Sequence, residues 1–400
     1  MDEIDFEEAF HALTGNAAFP WQRELYRRFI TGDIPASCNL PTGLGKTSVI
    51  AVWLIALANH PEKMPRRLVY VVNRRTVVDQ TTEEVIGLRN QLLGEFGPPL
   101  EIVWRLRTKL AGLCASDPLA ISTLRGQFAD NREWSADPSR PAVICGTVDM
   151  IGSRLLFSGY GVGFKGKPLH AGFLGQDTLL VHDEAHLEPA FQKLLIAIEK
   201  EQQECDEFDS FRVMELTATS GQQGEKFGLT PADNTNPIVT KRIGAKKAIC
   251  FHALTDERKL ADQVGDLALV HKDSGRAVLV FVRKVDDVEK VVARLRKDKC
   301  KVQQLTGTLR GLERDALAVS DPIFARFLPN PKVDPESGTV FLVCTSAGEV
   351  GVNISADHLV CDLSTFESMA QRFGRVNRFG DRDDTRIDIV HPTAFDKADE

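Results

Sequence analysis

The sequence predicts an α/β protein built from two successive, mainly parallel sheets, each flanked by helices. Three observations lead there. The chain has 400 residues, beyond the ~100–200 of an ordinary domain, so two domains are expected. Hydrophobic residues make up 43% and charged residues 26%, which allows sizeable cores and excludes wholesale disorder. Short β-branched runs alternate with turns and helical segments along the whole length, the pattern of parallel α/β sheets.

In the first half a helical segment, TSVIAVWLIALA from Thr47, precedes the apolar runs Leu68–Val72, Ala142–Cys145, Thr178–His182 and Val213–Leu216. Each run ends in polar residues, as strands buried on both faces do. Gly112–Pro141, rich in Asp, Ser, Arg and Pro, reads as an insertion within the first sheet. Ser220–Pro237 has the Gly, Pro, Asn and Gln of a linker or surface loop. The boundary is therefore expected near residue 240, with domains over 1–240 and 241–400. In the second half the runs are Ala277–Val282, Thr339–Val343, His358–Cys361 and Ile387–Val390. No internal repeat at a fixed period occurs.

Several classes are excluded or disfavoured. The longest apolar run, Val49–Ala58, is too short to span a bilayer, so no membrane role is expected. The N-terminus, MDEIDFEEAF, is acidic, unlike a secretory signal. The eight cysteines are scattered singly without zinc spacing. They read as reduced thiols of a cytoplasmic protein. Net charge is −7, which argues against coating nucleic acid by bulk electrostatics. Residues 1–240 carry 23 basic against 31 acidic side chains, and residues 241–400 carry 26 against 25. Nucleic-acid contacts are thus expected from local tracks such as Arg66, Arg67, Arg74 and Arg75, or Arg283–Lys301.

Chemistry concentrates in a few segments. Leu40-Pro41-Thr42-Gly43-Leu44-Gly45-Lys46-Thr47 reads as a phosphate-binding loop at a helix start. Glycines let backbone wrap a phosphate, Lys46 reaches the terminal phosphates, and Thr47 offers a hydroxyl to Mg²⁺. Leu40 stands where the general pattern has its first glycine. The run Val181-His182-Asp183-Glu184-Ala185-His186 ends a strand with adjacent acids. Asp183 is expected to hold the metal, directly or through water, and Glu184 to orient the attacking water. Upstream, Gln22 in Phe19-Pro20-Trp21-Gln22 is a candidate for adenine selection, because an amide both donates and accepts. ATP and Mg²⁺ are the expected cofactors.

Near the C-terminus, Gln371-Arg372-Phe373-Gly374-Arg375-Val376-Asn377-Arg378 spaces arginines three apart, on one face of a helix. Arg375 and Arg378, with Gln371 beside them, are expected to neutralise a departing γ-phosphate across an interdomain cleft. In Thr345-Ser346-Ala347-Gly348-Glu349, Gly348 allows close approach of backbone to phosphate or ribose, and Glu349 is a candidate nucleotide sensor. Asn73, Arg74, Arg75, Arg125, Thr147 and Thr345 follow apolar runs or lie in the irregular region. Such residues contact a phosphate backbone without reading bases.

In order along residues 19–380 these segments resemble the motif series of superfamily 2 helicases of the DEAH/DExH kind. PTGLGKT is the form used by nucleic-acid motor ATPases, and Thr217-Ala218-Thr219 resembles the motif coupling hydrolysis to nucleic-acid grip, which makes Thr217 and Thr219 coupling residues. More narrowly, NRRTVVDQ, STLRG, GTVDMIGSRLLFSGYG, HDEAHLEPAF, TSAGEVGVNI and QRFGRVNRFG are similar to the CRISPR-associated helicase-nuclease of type I systems. The resemblance implies two tandem RecA-like domains and ATP-driven translocation on single-stranded DNA. It also implies recruitment by a crRNA-guided, Cascade-type surveillance complex and degradation of invading DNA by an HD nuclease.

The sequence departs from that pattern in one respect: the only His-Asp neighbour is His182-Asp183, already in the ATPase strand, so an HD nuclease domain is expected to be absent from this chain. The motifs start at Phe19, which leaves no room for an upstream nuclease and favours the I-G (formerly I-U) subtype, whose nuclease follows the helicase. The end at Glu400 suggests a truncated chain or a split system, with the nuclease in cis or in trans. A DExH RNA helicase, a restriction or repair motor subunit, and a nucleotide-gated nucleic-acid-binding scaffold remain as alternatives. A monomer is expected.

Overall fold

A computed structural model of the chain describes residues 2–95, 97, 99–114, 117–125, 133–205, 211–217, 226–307, 316–317, 319–349 and 353–393. Two compact units divide it, Met1–Thr240 and Lys241–Glu400. Each is built on one parallel sheet flanked by helices, the α/β class expected.

The first unit holds β1 (Ser37–Asn39), β2 (Arg67–Val72), β3 (Ala120–Leu124), β4 (Ala142–Thr147), β5 (Thr178–Asp183), β6 (Phe211–Thr217) and β7 (Phe227–Gly228). Their order across the sheet is β3-β4-β2-β5-β6-β1-β7, with every pair parallel. Residues two apart share a face, so β2 splits its apolar side chains. Leu68, Tyr70 and Val72 join a core with the helices Phe6–Thr14, Pro20–Ile30 and Val49–Asn59. Val69 and Val71 join the opposite core with Trp134, Phe173, Leu174 and Phe191. The helix Val49–Asn59 is buried on all sides from Val49 to Ala58. A helix apolar all round is a central one.

Three expectations need correction. Gly112–Pro141 is no mere insertion, because it contributes β3, the outermost strand, and Trp134, which is fully enclosed. The interval Ser220–Pro237 is no free linker over its described part. There β7 pairs with β1, and the buried Asp233 accepts hydrogen bonds from the Trp21 amide and from the Thr230 amide and hydroxyl. Lastly, Arg66 and Arg67 are no nucleic-acid track. Arg67 is buried, donates to the carbonyls of Gln176 and Pro138 and lies over the Phe173 ring. Arg66 faces Asp177.

The second unit holds β8 (Ala248–Leu254), β9 (Ala277–Phe281), β10 (Lys301–Leu305), β11 (Val340–Cys344), β12 (His358–Asp362) and β13 (Arg386–Pro392). The order is β10-β11-β9-β12-β13-β8, again wholly parallel. The strands β9, β11 and β12 are buried at every residue. Among the described residues no helix is long and apolar enough to cross a membrane.

Candidate active site

Because all strands of the first sheet run one way, their carboxyl ends share an edge, the place where open α/β sheets bind ligands. There β1 leads into the phosphate loop, β5 ends in Asp183, and β6 ends in Thr217. On the same edge β2 leads to Asn73, Arg74 and Arg75, β4 ends in Thr147, and β3 precedes Arg125.

In the phosphate loop Gly43 and Gly45 have φ of 87° and 73°, which side-chain-bearing residues adopt only under strain. At Gly45 the need is conformational rather than steric, since a β-carbon would meet nothing closer than the Gln22 amide nitrogen at 3.7 Å. The chain then makes a tight turn, Lys46–Ser48, and enters the helix Val49–Asn59. Gln22 is buried beside the loop. Its Oε1 accepts from the Phe19 amide at 2.7 Å, and its Nε2 donates to Ser48 Oγ at 2.6 Å. Ser48 Oγ in turn donates to the Gly45 carbonyl at 2.7 Å.

Lys46 Nζ lies 3.4 Å from Glu184 Oε1, with both side chains largely enclosed. Asp183 Oδ2 accepts from the Tyr70 hydroxyl at 2.9 Å. Burial and the Glu184 charge push the Asp183 carboxyl up to about 6, against Lys46 and the Tyr70 hydrogen bond. Glu184 sits at φ 51°, ψ 44°, a left-handed conformation rare outside glycine. Its amide donates to the Leu216 carbonyl at 2.8 Å, which pins this turn to β6. His186 Nδ1 stands 3.1 Å from Thr217 Oγ1 and 3.5 Å from Glu184 Oε2. The histidine thus joins the acidic turn to the end of β6.

These residues fit a divalent cation. Asp183 Oδ1 is a buried carboxylate oxygen with no hydrogen-bond partner among the described residues, an arrangement that is costly unless a ligand completes it. No three His, Cys, Asp or Glu side chains among the described residues group to hold a metal by themselves. Mg²⁺ suits such a site, because it takes one or two protein oxygens and completes its shell with water and phosphate.

The nucleic-acid candidates of this unit occupy one edge without forming a cluster of contacts. Asn73 and Arg74 are half-buried, and Arg75 is exposed at the start of the helix Arg75–Leu93. Arg125 forms an ion pair with Asp79 of that helix. Thr147 is buried where β4 passes into the helix Val148–Leu155. Thr219 lies outside the described residues.

In the second unit the structure corrects the shared helix face of the arginines and shows what Gly348 and Glu349 touch. Arg375 and Arg378 do not share a helix face, because the helix Phe366–Phe373 ends before them. They stand in the following turn, held by Asn377 at φ 45°, whose side chain bonds the carbonyls of Lys246 and Arg382. Gln371 is half-buried in the last turn of that helix. The Glu349 carboxylate is engaged within its own unit. It is 1% exposed, with Oε1 taken by Arg372 at 2.8 Å and Oε2 by Ser368 at 3.1 Å. Gly348 serves close packing within the protein, since a β-carbon there would lie 2.8 Å from Cys344 Sγ. Thr345 is buried just after β11. Arg375 Nε donates to the Glu349 carbonyl at 3.0 Å, and Arg378 Nη1 donates to Asn353 Oδ1 at 2.8 Å.

Sequence reasoning missed Tyr70, Arg372, Asp362 and Asn377. Arg372 lay in view within the arginine run, but only burial separates it from its neighbours. Tyr70 carried no signal beyond being a polar tip within an apolar strand.

Comparisons with known proteins fit this geometry. Residues 17–222 match the family model described as the type III restriction enzyme, res subunit. Residues 274–381 match the model for the C-terminal part of the CRISPR-associated nuclease/helicase Cas3. No curated protein matches the sequence. Among solved structures, T. fusca Cas3 with ATP has a TM-score of 0.66 at 14% identity, over 96% of this chain and 48% of that one. The Mycobacterium smegmatis helicase Lhr bound to single-stranded DNA and AMP-PNP has a TM-score of 0.57 at 16% identity, over 97% and 47%. Dbp5 of S. cerevisiae bound to RNA and ADP-BeF3 has a TM-score of 0.55 at 17% identity, over 96% and 86%. The chain therefore spans about half the length of the Cas3 and Lhr chains, and their likeness establishes the tandem RecA-like helicase fold. With more than half of its length matched, the chain belongs to the family of the type III restriction enzyme res subunit, within the superfamily 2 helicases, and its second unit carries a Cas3-like C-terminal part.

Proposed function

We propose that the chain is an ATP-hydrolysing motor that translocates on single-stranded DNA, the helicase part of a type I CRISPR interference system. The observation that carries the hydrolytic part is the convergence of Lys46, Asp183 and Glu184 on one sheet edge beside the phosphate loop. The match of residues 274–381 to the Cas3 C-terminal model supports the DNA and CRISPR assignment. An HD nuclease, in cis or in trans, and a crRNA-guided surveillance complex are the partners this reading calls for.

The loop amides and the start of the helix Val49–Asn59 bind the phosphates, whose negative charge they favour. Lys46 exchanges its Glu184 partner for the terminal phosphates, which frees the Glu184 carboxylate to orient water. Thr47 and Asp183 hold Mg²⁺, which neutralises charge on the phosphate oxygens when bound. Gln22 selects adenine. His186, hydrogen-bonded to Thr217, passes the state of the acidic turn to the end of β6. Arg375 and Arg378 neutralise the γ-phosphate as it leaves, while Asn73, Arg74, Arg75, Arg125, Thr147 and Thr345 grip the phosphate backbone. Contacts to the phosphate backbone alone suit a motor indifferent to sequence.

The test is ATP hydrolysis with Mg²⁺, alone and with single-stranded DNA, single-stranded RNA or duplex DNA. Lys46→Ala and Glu184→Gln should abolish turnover with circular dichroism unchanged, and single-stranded DNA should stimulate the unmodified chain most. Normal rates in either variant would overturn the hydrolytic reading. Stimulation by RNA above DNA would transfer the assignment to an RNA helicase. Tight nucleotide-dependent binding with slow, unstimulated hydrolysis would favour a nucleotide-gated scaffold.

A further inference from the structure

We infer that Tyr70 is a positioning residue that holds the Asp183 carboxylate by Oδ2 and leaves its Oδ1 for the divalent cation; this rests on the nucleotide-site reading above. Tyr70 lies within β2, opposite Val181 of β5 in register, and is almost wholly enclosed in the first core. A phenol hydroxyl in such surroundings is costly unless it is hydrogen-bonded. Here it donates to Asp183 Oδ2 at 2.9 Å.

The consequence follows from donor and acceptor counting. A hydroxyl has one proton and two lone pairs. Tyr70 gives its proton to Asp183 Oδ2, fixing the carboxylate and leaving Oδ1, which has no partner among the described residues, as the metal oxygen. A phenylalanine would fill the same space without the bond to Asp183, so the hydroxyl is the part that needs a reason. Tyr70 reaches the cation only through its neighbours, like the outer partners that orient metal ligands elsewhere.

The experiment is Tyr70→Phe, read by Mg²⁺ titration of fluorescent-ADP binding as well as by ATP hydrolysis. The expected result is metal-free nucleotide affinity within about twofold of the unmodified chain, with the half-saturating Mg²⁺ concentration raised roughly tenfold or more. The same metal shift should appear in the Glu184→Gln background, where hydrolysis plays no part. An unchanged Mg²⁺ titration overturns the inference, as does an equal loss of metal-free nucleotide binding, which would mark Tyr70 as a mere support of the loop. Failure of the hydrolytic reading would show separately, as normal turnover by Glu184→Gln.

A second measurement avoids substitution of Tyr70. The sequence has three tyrosines, so a chain labelled with carbon-13 at the tyrosine ζ position gives three signals. The Tyr70 signal should move when Mg²⁺ is added to the ADP-bound chain and stay fixed in Asp183→Asn, while those of Tyr26 and Tyr160 stay fixed in both. Its failure to move in the unmodified chain would overturn the inference.

Discussion

Arg372 shows how one side chain can organise a unit without meeting a substrate. Its guanidinium is 1% exposed, bonds Glu349, the Asp362 carbonyl and the Asp362 carboxylate at 2.7–2.9 Å, and lies over the Phe281 ring. Removing one partner of such a buried set leaves an uncompensated charge, which typically costs about 3–5 kcal/mol. Arg372→Ala should therefore lower the thermal midpoint of the second unit strongly. Arg375→Ala, in the half-buried turn beyond the helix, should leave the melt nearly unchanged and lower kcat instead. A variant pair with those effects reversed would assign the finger to Arg372. Here sequence reading went only part of the way: three arginines at equal spacing look alike until burial shows which one has carboxylates around it.

At the scale of elements, the turn after β5 connects hydrolysis to the rest of the sheet. Glu184 holds a left-handed conformation because its amide is tied to Leu216, and His186 meets Thr217 at the end of the neighbouring strand. Cutting that contact should separate two activities. His186→Ala is expected to keep unstimulated ATP hydrolysis within about fivefold, since one hydrogen bond contributes only about 1 kcal/mol, and to lose most of its stimulation by single-stranded DNA. Loss of both in parallel would place His186 in the chemistry itself. The elements themselves were unevenly legible. The eight strands read from apolar runs, β2, β4, β5, β6, β9, β11, β12 and β13, all lie inside their sheets. The missed ones are β3, β7, β8 and β10, all at sheet edges, and the three-residue β1. A strand covered on both faces must be apolar throughout, whereas an edge strand such as Lys301–Leu305 or Ala248–Leu254 keeps exposed positions and loses the run.

Across the whole molecule, acid should weaken the fold through the second sheet. Asp388 is buried on β13, 2.6 Å from His252 and 2.7 Å from Arg386, with His271 at 3.9 Å. Burial works against its ionisation, and contacts from His271, Arg386 and His252 outweigh it, holding the carboxyl well below the usual carboxylate range. Burial and the neighbouring His271 likewise lower His358. Both groups take up protons less readily in the native chain than in the unfolded one. Their contribution is therefore present above the unfolded pKa values, ~6.5 for histidine and ~3.9 for aspartate, and is lost as pH falls below them. Urea denaturation should show stability declining below pH ~6.5 and more steeply below pH ~4. Asp388→Asn should be less stable at neutral pH and flatter across the acid range, and an unchanged slope would remove Asp388 from this account.

The sequence by itself determined the two-sheet α/β class, the order of motifs, and the phosphate loop, acidic turn and arginine run. Those are local matters: each is a short segment whose residue types must be contiguous to do their chemistry. Tertiary structure alone decided that Tyr70 holds Asp183, that His186 meets Thr217, that Glu349 pairs with Arg372, and that Asp233 fastens an apparent linker to Trp21. Each joins residues brought together only by parallel strands or helix packing. Burial and pairing are properties of the neighbours a side chain acquires on folding, and no spacing along the chain encodes them.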